Sequence, residues 1–457
     1  MIKRHTILFT IIAILSLGIL PATFAADAPS SWAKDEVGKA IALDLIPADL
    51  QTRYQDSITR KEFCKLVVIL GVMVDEEEVE EAQNDGCPFI DTTDIDIISA
   101  YGLGIIDGKS NDIFDPDGAI LRQEAATMLT RAAKAFKMDT SAAPSGFSDD
   151  DKIALYAKEA VNYVAANGIM IGVGNNVFSP VEYYTREQAI LTVLRLYNTF
   201  SYDHKIPIKV VTVENAKQLI ESIAPNMKVV LKPGEYALGS AIPENVFVSW
   251  DAVFDGFELS IHNVMNLTIE GDTVGTSEIK SQYTYAFVIN FVDCKNITVK
   301  GIKAGHSVEG YCEGGVIEFT GCDNAVVENA LMYGCGTVGI VTNESKNITV
   351  KDSSIYQCSY SIMSVKDSEN VIFTNCDFHD NKEFYQVEII SSNKVVIDNC
   401  KFTNNANLHD LWAFFEVGES SEITVKDCVF KDNKSAGGFV NNEIIKFENN
   451  TMENNEW

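Results

Sequence analysis

Apolar positions along the chain follow three successive patterns. From Thr6 to Leu20 they run almost unbroken behind Lys3 and Arg4, then give way to Pro21 and Thr23-Phe24-Ala25. So short a run with these flanks predicts a cleaved secretory signal over residues 1–25, not a membrane span. From Ser31 to about Phe200 the apolar spacing is helical. Beyond Asn263 it becomes a series of short β-branched runs, each bounded by Asn, Asp or Gly.

The helical stretch divides into three similar units, assigned to residues 26–80, 85–138 and 145–200. The acidic stretch Asp75–Glu81 and the segment Asp139–Gly146 read as solvated connectors between them. Units two and three each predict an amphipathic helix ending at glycine (Gly104, Gly168), an irregular loop carrying Phe-x-Pro (Phe114–Pro116, Phe178–Pro180), and a second apolar-periodic helix. Thr59 with Glu62, and Thr185 with Gln188, have the spacing of a capping box at the start of the second helix. Unit two has Leu121 at the corresponding position, so that cap is expected to be lost.

Each of these helices opens on an arginine: Arg60, Arg122 and Arg186. A cation beside the positive end of a helix costs about 0.3–1 kcal/mol, so three in register need a partner. An internal carboxylate from the Asp-rich loops after Phe89 and Phe147 would make the arginines structural. An external anion, shared with the free amides of the helix start, would make them a binding site.

The aromatic-led first helix, Gly-Ile-x-x-Gly, Phe-x-Pro and Thr-Arg-x-Glu, repeated after an export signal, resembles the S-layer homology (SLH) domain family across Ser31 to Phe200. The resemblance implies an all-α, pseudo-trimeric helical module that anchors exported proteins to anionic, often pyruvylated, secondary cell-wall polymers. It thereby implies a location at the wall or S-layer surface of a bacterium. Carried onto this chain, it assigns polymer contact to Trp32, Arg60, Arg122 and Arg186, with Gly108 and Gly172 shaping the later sites. Unit one departs from the pattern with "LIPADLQTRYQDSITR" in place of the glycine loop, so its site is expected to differ in shape.

The second half, residues 205–457, repeats with a period in the twenties. Ile302, Ala330, Ser353, Cys376, Cys400 and Cys428 are equivalent, and two residues further on stand Ala304, Met332, Ile355, Phe378, Phe402 and Phe430. Short strands, corner asparagines and this period predict a right-handed parallel β-helix. "VENAKQLIESIA" and "KVVLKPGEYAL" ahead of it predict a cap helix and a strand closed by a Pro-Gly turn. The region resembles the superfamily that includes pectate lyases and polygalacturonase-type hydrolases. That likeness is architectural, and fold does not fix function. The fold class is therefore multidomain: an SLH-type helical module plus an all-β solenoid.

Composition narrows the chemistry. A formal charge of −29 repels phosphate backbones and argues against nucleic-acid binding. Of ten cysteines, eight lie from Cys294 onward and several share one repeat position, which reads as a column of buried thiols. No C-x-x-C accompanies them, so no metal site is assigned. No cofactor is evident; calcium is conceivable from the superfamily, with no ligand cluster supporting it.

A catalytic group is harder to place. The outward column Glu318, Val341, Ser364, Glu388, Glu416 puts Glu388 and Glu416 one coil apart, close to the ~5–5.5 Å of a retaining glycosidase pair. His306, with Tyr311 and Glu313 in an unusual loop, is a further candidate. Tyr360, Phe384 and Trp412, in the column four residues earlier, predict an aromatic face for a polysaccharide. The plain alternative is that the glutamates are solvated surface. The second half would then be a non-enzymatic adhesin, spacer or S-layer-associated module.

Overall fold

The computed structural model describes residues 27–84, 86–239, 243–306, 314–334 and 338–457, so the expected signal lies outside the described residues. The helical half contains α1 (Lys34–Ala42), α2 (Arg60–Val74), α3 (Glu76–Asn84), α4 (Ile95–Gly102), α5 (Arg122–Ala135), α6 (Lys158–Ala166) and α7 (Arg186–Tyr202). Helices α2, α5 and α7 are the long helices of the three repeats. The residues just before them meet in a closed ring: Ile58 N–H donates to Tyr184 O (2.8 Å), Tyr184 N–H to Ile120 O (3.0 Å) and Ile120 N–H to Ile58 O (3.2 Å). Ile58, Ile120 and Tyr184 are buried at this hub, inside a core shared by all three repeats.

Local chemistry sets where the long helices begin. Thr59 and Glu62 form a reciprocal capping box, as do Thr185 and Gln188. At Leu121 half of the box survives, because Glu124 still accepts from the Leu121 amide at 3.0 Å. The acidic connector is a helix after all. Asp75 accepts from the Glu78 amide at 3.1 Å, three glutamates occupy the favourable first turn, and Val79 and Ala82 are buried on one face of α3.

From Lys209 the chain winds into parallel coils. Among the described residues the strands form sheets of ten, nine, eight and three strands, all parallel except the hairpin pairing Val248–Val253 with Gly256–His262. Helix α8 (Ala216–Glu221) covers the first coil with Leu219 and Ile220. The Pro-Gly turn joins Met227–Leu231 to Gly234–Leu238, which belong to different sheets; it is a coil corner and not a hairpin.

Equivalent side chains stack coil upon coil. Phe378, Phe402 and Phe430 lie 4.9 and 4.7 Å apart in the interior. Corner residues such as Asn324, Asn347 and Asn370 adopt φ of 57–61°, a conformation asparagine tolerates. Inside the corners, side chains of one coil accept backbone amides of the coil before: Cys322 N–H donates to Ser345 Oγ (3.0 Å), Cys376 N–H to Cys400 Sγ (3.4 Å) and Asn381 N–H to Asn405 Oδ1 (3.1 Å). The cysteines serve as ladder rungs, and the eight described ones are free thiols.

A buried polar joint fixes the two halves together. Asn226 Nδ2 donates to Tyr197 Oη (2.9 Å) and Ser201 Oγ (2.7 Å) at the end of α7, and Asn266 Nδ2 donates to Ser201 O (2.7 Å).

Candidate functional site

Each of the three arginines turns into the next repeat. Arg60 donates from Nε to Phe114 O (2.9 Å) and from Nη2 to Asp107 O (3.2 Å), with its guanidinium 4.5 Å from the Phe114 ring centre. Arg122 does the same one repeat on, to Phe178 O (2.9 Å) and Ile171 O (3.1 Å). Arg186 closes the cycle on the first repeat, reaching Thr52 O at 2.5 Å. All three are buried. The phenylalanine of Phe-x-Pro therefore serves the arginine of the preceding repeat.

The carboxylates of the Asp-rich loops are not the partners used. The first two amides of each long helix are taken by backbone carbonyls of a neighbouring repeat: Arg60 and Lys61 by Gly118 and Pro116, Arg122 and Gln123 by Glu182 and Pro180, Arg186 and Glu187 by Asp56 and Tyr54. Those first two amides are therefore not free to share an anion with the guanidinium. The aspartates are occupied too. Asp91 accepts from the amides of Phe114 and Asp115, and Asp149 from those of Phe178 and Ser179.

What faces each guanidinium is the third residue of the next long helix. Arg186 pairs with Glu62 at 2.6 Å, and Arg60 stands 3.8 Å from Glu124. For Arg122 the corresponding residue is Gln188, and among the described residues Arg122 has no ion pair. The three guanidiniums thus differ in compensation: one tightly paired, one loosely paired, one unpaired.

Two grooves open beside them. One of about 240 Å³ is lined by Arg60, Gly108, Glu124 and Arg131 with Tyr156 from the third repeat. The other, of about 380 Å³, is lined by Arg122, Gly172, Gln188 and Arg195 with Trp32 from the first repeat. Gly108 thus lines the Arg60 groove and Gly172 the Arg122 groove. A Cβ on Gly172 would stand 2.6 Å from Val177 O, so the loop needs glycine for its close approach. Trp32 is 59% exposed, an aromatic surface open to a ligand.

On the β-helix, Glu388 and Glu416 are in register on neighbouring coils, as expected. Both carboxylates already have donors: Ser364 Oγ (2.5 Å) and Lys366 Nζ (2.9 Å) on Glu388, the Ala413 amide (3.0 Å) and Asn441 Nδ2 (2.5 Å) on Glu416. The expected aromatic face is a ladder. Tyr360 stacks on Phe384 at 4.1 Å and Phe384 on His409 at 4.4 Å, with Trp412 at 5.4 Å, so both faces of Phe384 are covered and it offers none to a sugar.

His306 is 5% exposed and donates from Nε2 to Ala286 O at 2.8 Å, and burial pushes its imidazole below the usual range. It is not a loop residue open to substrate. Tyr311 and Glu313 lie outside the described residues. Glu318, lower in the same column as Glu388, is the group passed over in the sequence. Burial, then the charge of Glu258, push its carboxyl up to about 7. Among the described residues no cluster of His, Cys, Asp and Glu could hold a metal, and no helix is long and apolar enough to cross a membrane.

A ring of three helical repeats with composite arginine grooves, joined to a parallel solenoid, defines a modular protein with a helical head and a β-helical body. The family described as S-layer homology domain matches residues 94–126 and 146–190, and that described as right handed beta helix region matches 256–385 and 315–456. The chain carries both regions, and the first repeat, ahead of those matches, closes the same ring.

Among curated proteins it is 30% identical over 181 residues to the exoglucanase XynX of Acetivibrio thermocellus, covering 37% of this chain and 16% of that protein. It is 28% identical over 179 residues to the amylopullulanase of Thermoanaerobacterium thermosulfurigenes, covering 37% and 9%. The chain thus spans under a fifth of the length of these two relatives. Among solved structures, a pectate lyase from Bacillus sp. N165 in complex with trigalacturonate is 12% identical, with 54% of this chain and 82% of that chain covered and a TM-score of 0.35.

Proposed function

We propose that the protein is held at a bacterial cell surface by an anionic wall polymer bound in the Arg122 groove, from which it presents the β-helix. The observation carrying this reading is the unpaired guanidinium. A buried cation without a carboxylate favours an incoming anion, and a bidentate carboxylate or ketal-linked acid on a sugar supplies one. Trp32 adds an exposed ring for the sugar face. Arg186, already neutralised by Glu62, contributes mainly to cohesion between repeats.

The test is Gln188→Glu in the full chain. It gives Arg122 the partner that its counterparts have, and it keeps a capping-box residue at that position. Cosedimentation with purified wall sacculi is expected to fall about tenfold or more, with the thermal midpoint unchanged or raised. Retained binding in Gln188→Glu, or binding that survives stripping of the secondary polymer from the sacculi, sinks the reading.

For the β-helix, acid–base chemistry on a polysaccharide and a passive spacer or adhesin are the two readings to be separated, and Glu318, whose carboxyl burial and the charge of Glu258 push up to about 7, is the group the first would use. Incubation with a panel of neutral and uronic-acid glycans is expected to release reducing ends or unsaturated products, and Glu318→Gln to abolish them. If the wild-type chain yields no products from any glycan, the spacer or adhesin reading stands instead.

A further inference from the structure

The Arg122 groove does not stop at its own repeat. Gln188, Thr192, Arg195, Asn198, Thr199 and Tyr202 fall along one face of α7 at helical spacing. The first three line the Arg122 groove, and Arg195 with the last three lines a second cavity of about 400 Å³ where α7 meets the β-helix. The two cavities share a wall as well. Asn167 and Gly168 border the second, and Met170 to Val173, one residue further on, border the first. The far wall of the second cavity comes from the β-helix itself, through Met265 and Lys295.

Three cations mark this track: Arg122, Arg195 and Lys295. Arg195 is tied to Glu36 by two bonds of 3.0 and 2.9 Å, and stands between the two cavities. Lys295 is exposed, lies 5.5 Å from the Tyr202 ring centre, and among the described residues has no ion pair. Tyr202 is 57% exposed, matching Trp32 at the opposite end. In a chain of formal charge −29, a line of cations flanked by open aromatic rings is an unusual surface. From Gln188 to Tyr202 the helix rises about 21 Å, room for several linked sugars.

We infer that the anionic polysaccharide seated at Arg122 continues along α7 and onto the first coils of the β-helix, where Lys295 and Tyr202 form a second subsite. The inference rests on the anchoring reading above. The buried joint of Asn226, Asn266, Tyr197 and Ser201 holds the two subsites at a fixed separation, so a polymer spanning both is bound without an added cost of aligning them.

Calorimetry on the full chain separates this from the simpler site. The probe is polymer released from purified wall sacculi and fractionated into single-repeat and multi-repeat pieces, with polygalacturonate as a generic polyanion. Multi-repeat pieces are expected to bind about tenfold or more tighter than single-repeat pieces. The double variant Lys295→Glu with Tyr202→Ala is expected to remove that advantage and leave single-repeat binding and the thermal midpoint unchanged, whereas Gln188→Glu weakens both lengths. Length-independent affinity in the wild type, or a length advantage that survives the double variant, overturns the second subsite while leaving Arg122 intact. Equal binding of polygalacturonate also overturns it, in favour of nonselective charge attraction. If the wild type binds no wall fragment, the anchoring reading falls, and the subsite falls with it.

Discussion

Both halves of the molecule are built from repeats, yet they use repetition in opposite ways. In the helical half, each repeat finishes its neighbour's site: Arg122 of the second donates to Phe178 of the third and shares a groove with Trp32 of the first. A single change at one position, Gln188 in place of glutamate, makes one site unlike the others. In the β-helix each residue meets its own equivalent one coil away, as Phe402 meets Phe378 and Phe430. Such stacking consumes side chains that would look available in isolation, and Phe384 between Tyr360 and His409 is the case in point. Rings of repeats diversify at their junctions, whereas stacks of repeats conceal their surface chemistry from inspection of one coil.

The sharpest test of this contrast removes a rung from the stack. Phe402→Ala is expected to cost about 3–5 kcal/mol in chemical denaturation of the β-helix, with wall binding by the folded protein unchanged. Next comes the junction in the ring. Arg186→Ala, which strands Glu62 and the Thr52 carbonyl, is expected to destabilise the helical half by about 3 kcal/mol while leaving the Arg122 site active. If Arg186→Ala instead abolished wall binding without destabilising, the division of labour among the arginines would be wrong.

A corner rung should matter less than the core. Asn405→Ala deprives the Asn381 amide and the Phe378 carbonyl of partners, and a loss of about 2 kcal/mol is expected in the same denaturation assay. Leu121→Thr restores the missing hydroxyl of the middle repeat and is expected to gain about 1 kcal/mol, read as a raised thermal midpoint.

A separate test of the β-helix is a pH dependence. Because the folded-state carboxyl of Glu318 titrates near 7, above its ordinary 4.5, the native state binds that proton more tightly than the unfolded chain. Its stabilising contribution is full below about 4.5 and is lost as pH rises through about 7. Glu318→Gln should therefore gain stability relative to wild type between pH 5 and pH 8, and a flat difference would show the group to be solvated.

Much of this architecture is readable before any coordinates, where the responsible physics is local or periodic. The capping boxes at Thr59 and Thr185 follow from spacing alone, and the β-helix columns follow from a period that stacks like on like. What escapes the sequence depends on contacts across the ring or on burial. Arg186 and Glu62 are 124 residues apart, and only closure of the three repeats brings them together. Helix α3 looks like a charged linker because its glutamates outnumber Val79 and Ala82, the two residues that pack. Glu318 looks like Glu388, and burial alone sets it apart.

The hydrogen-bonded hub of Ile58, Ile120 and Tyr184 also limits how the gene can change. Every donor in that circle already has its acceptor, so a fourth unit has nowhere to enter and the loss of one leaves both survivors with an open valence. The solenoid has no such arithmetic: a coil can be gained or lost by insertion or deletion, and the stack can lengthen or shorten without disturbing the ring of helical repeats.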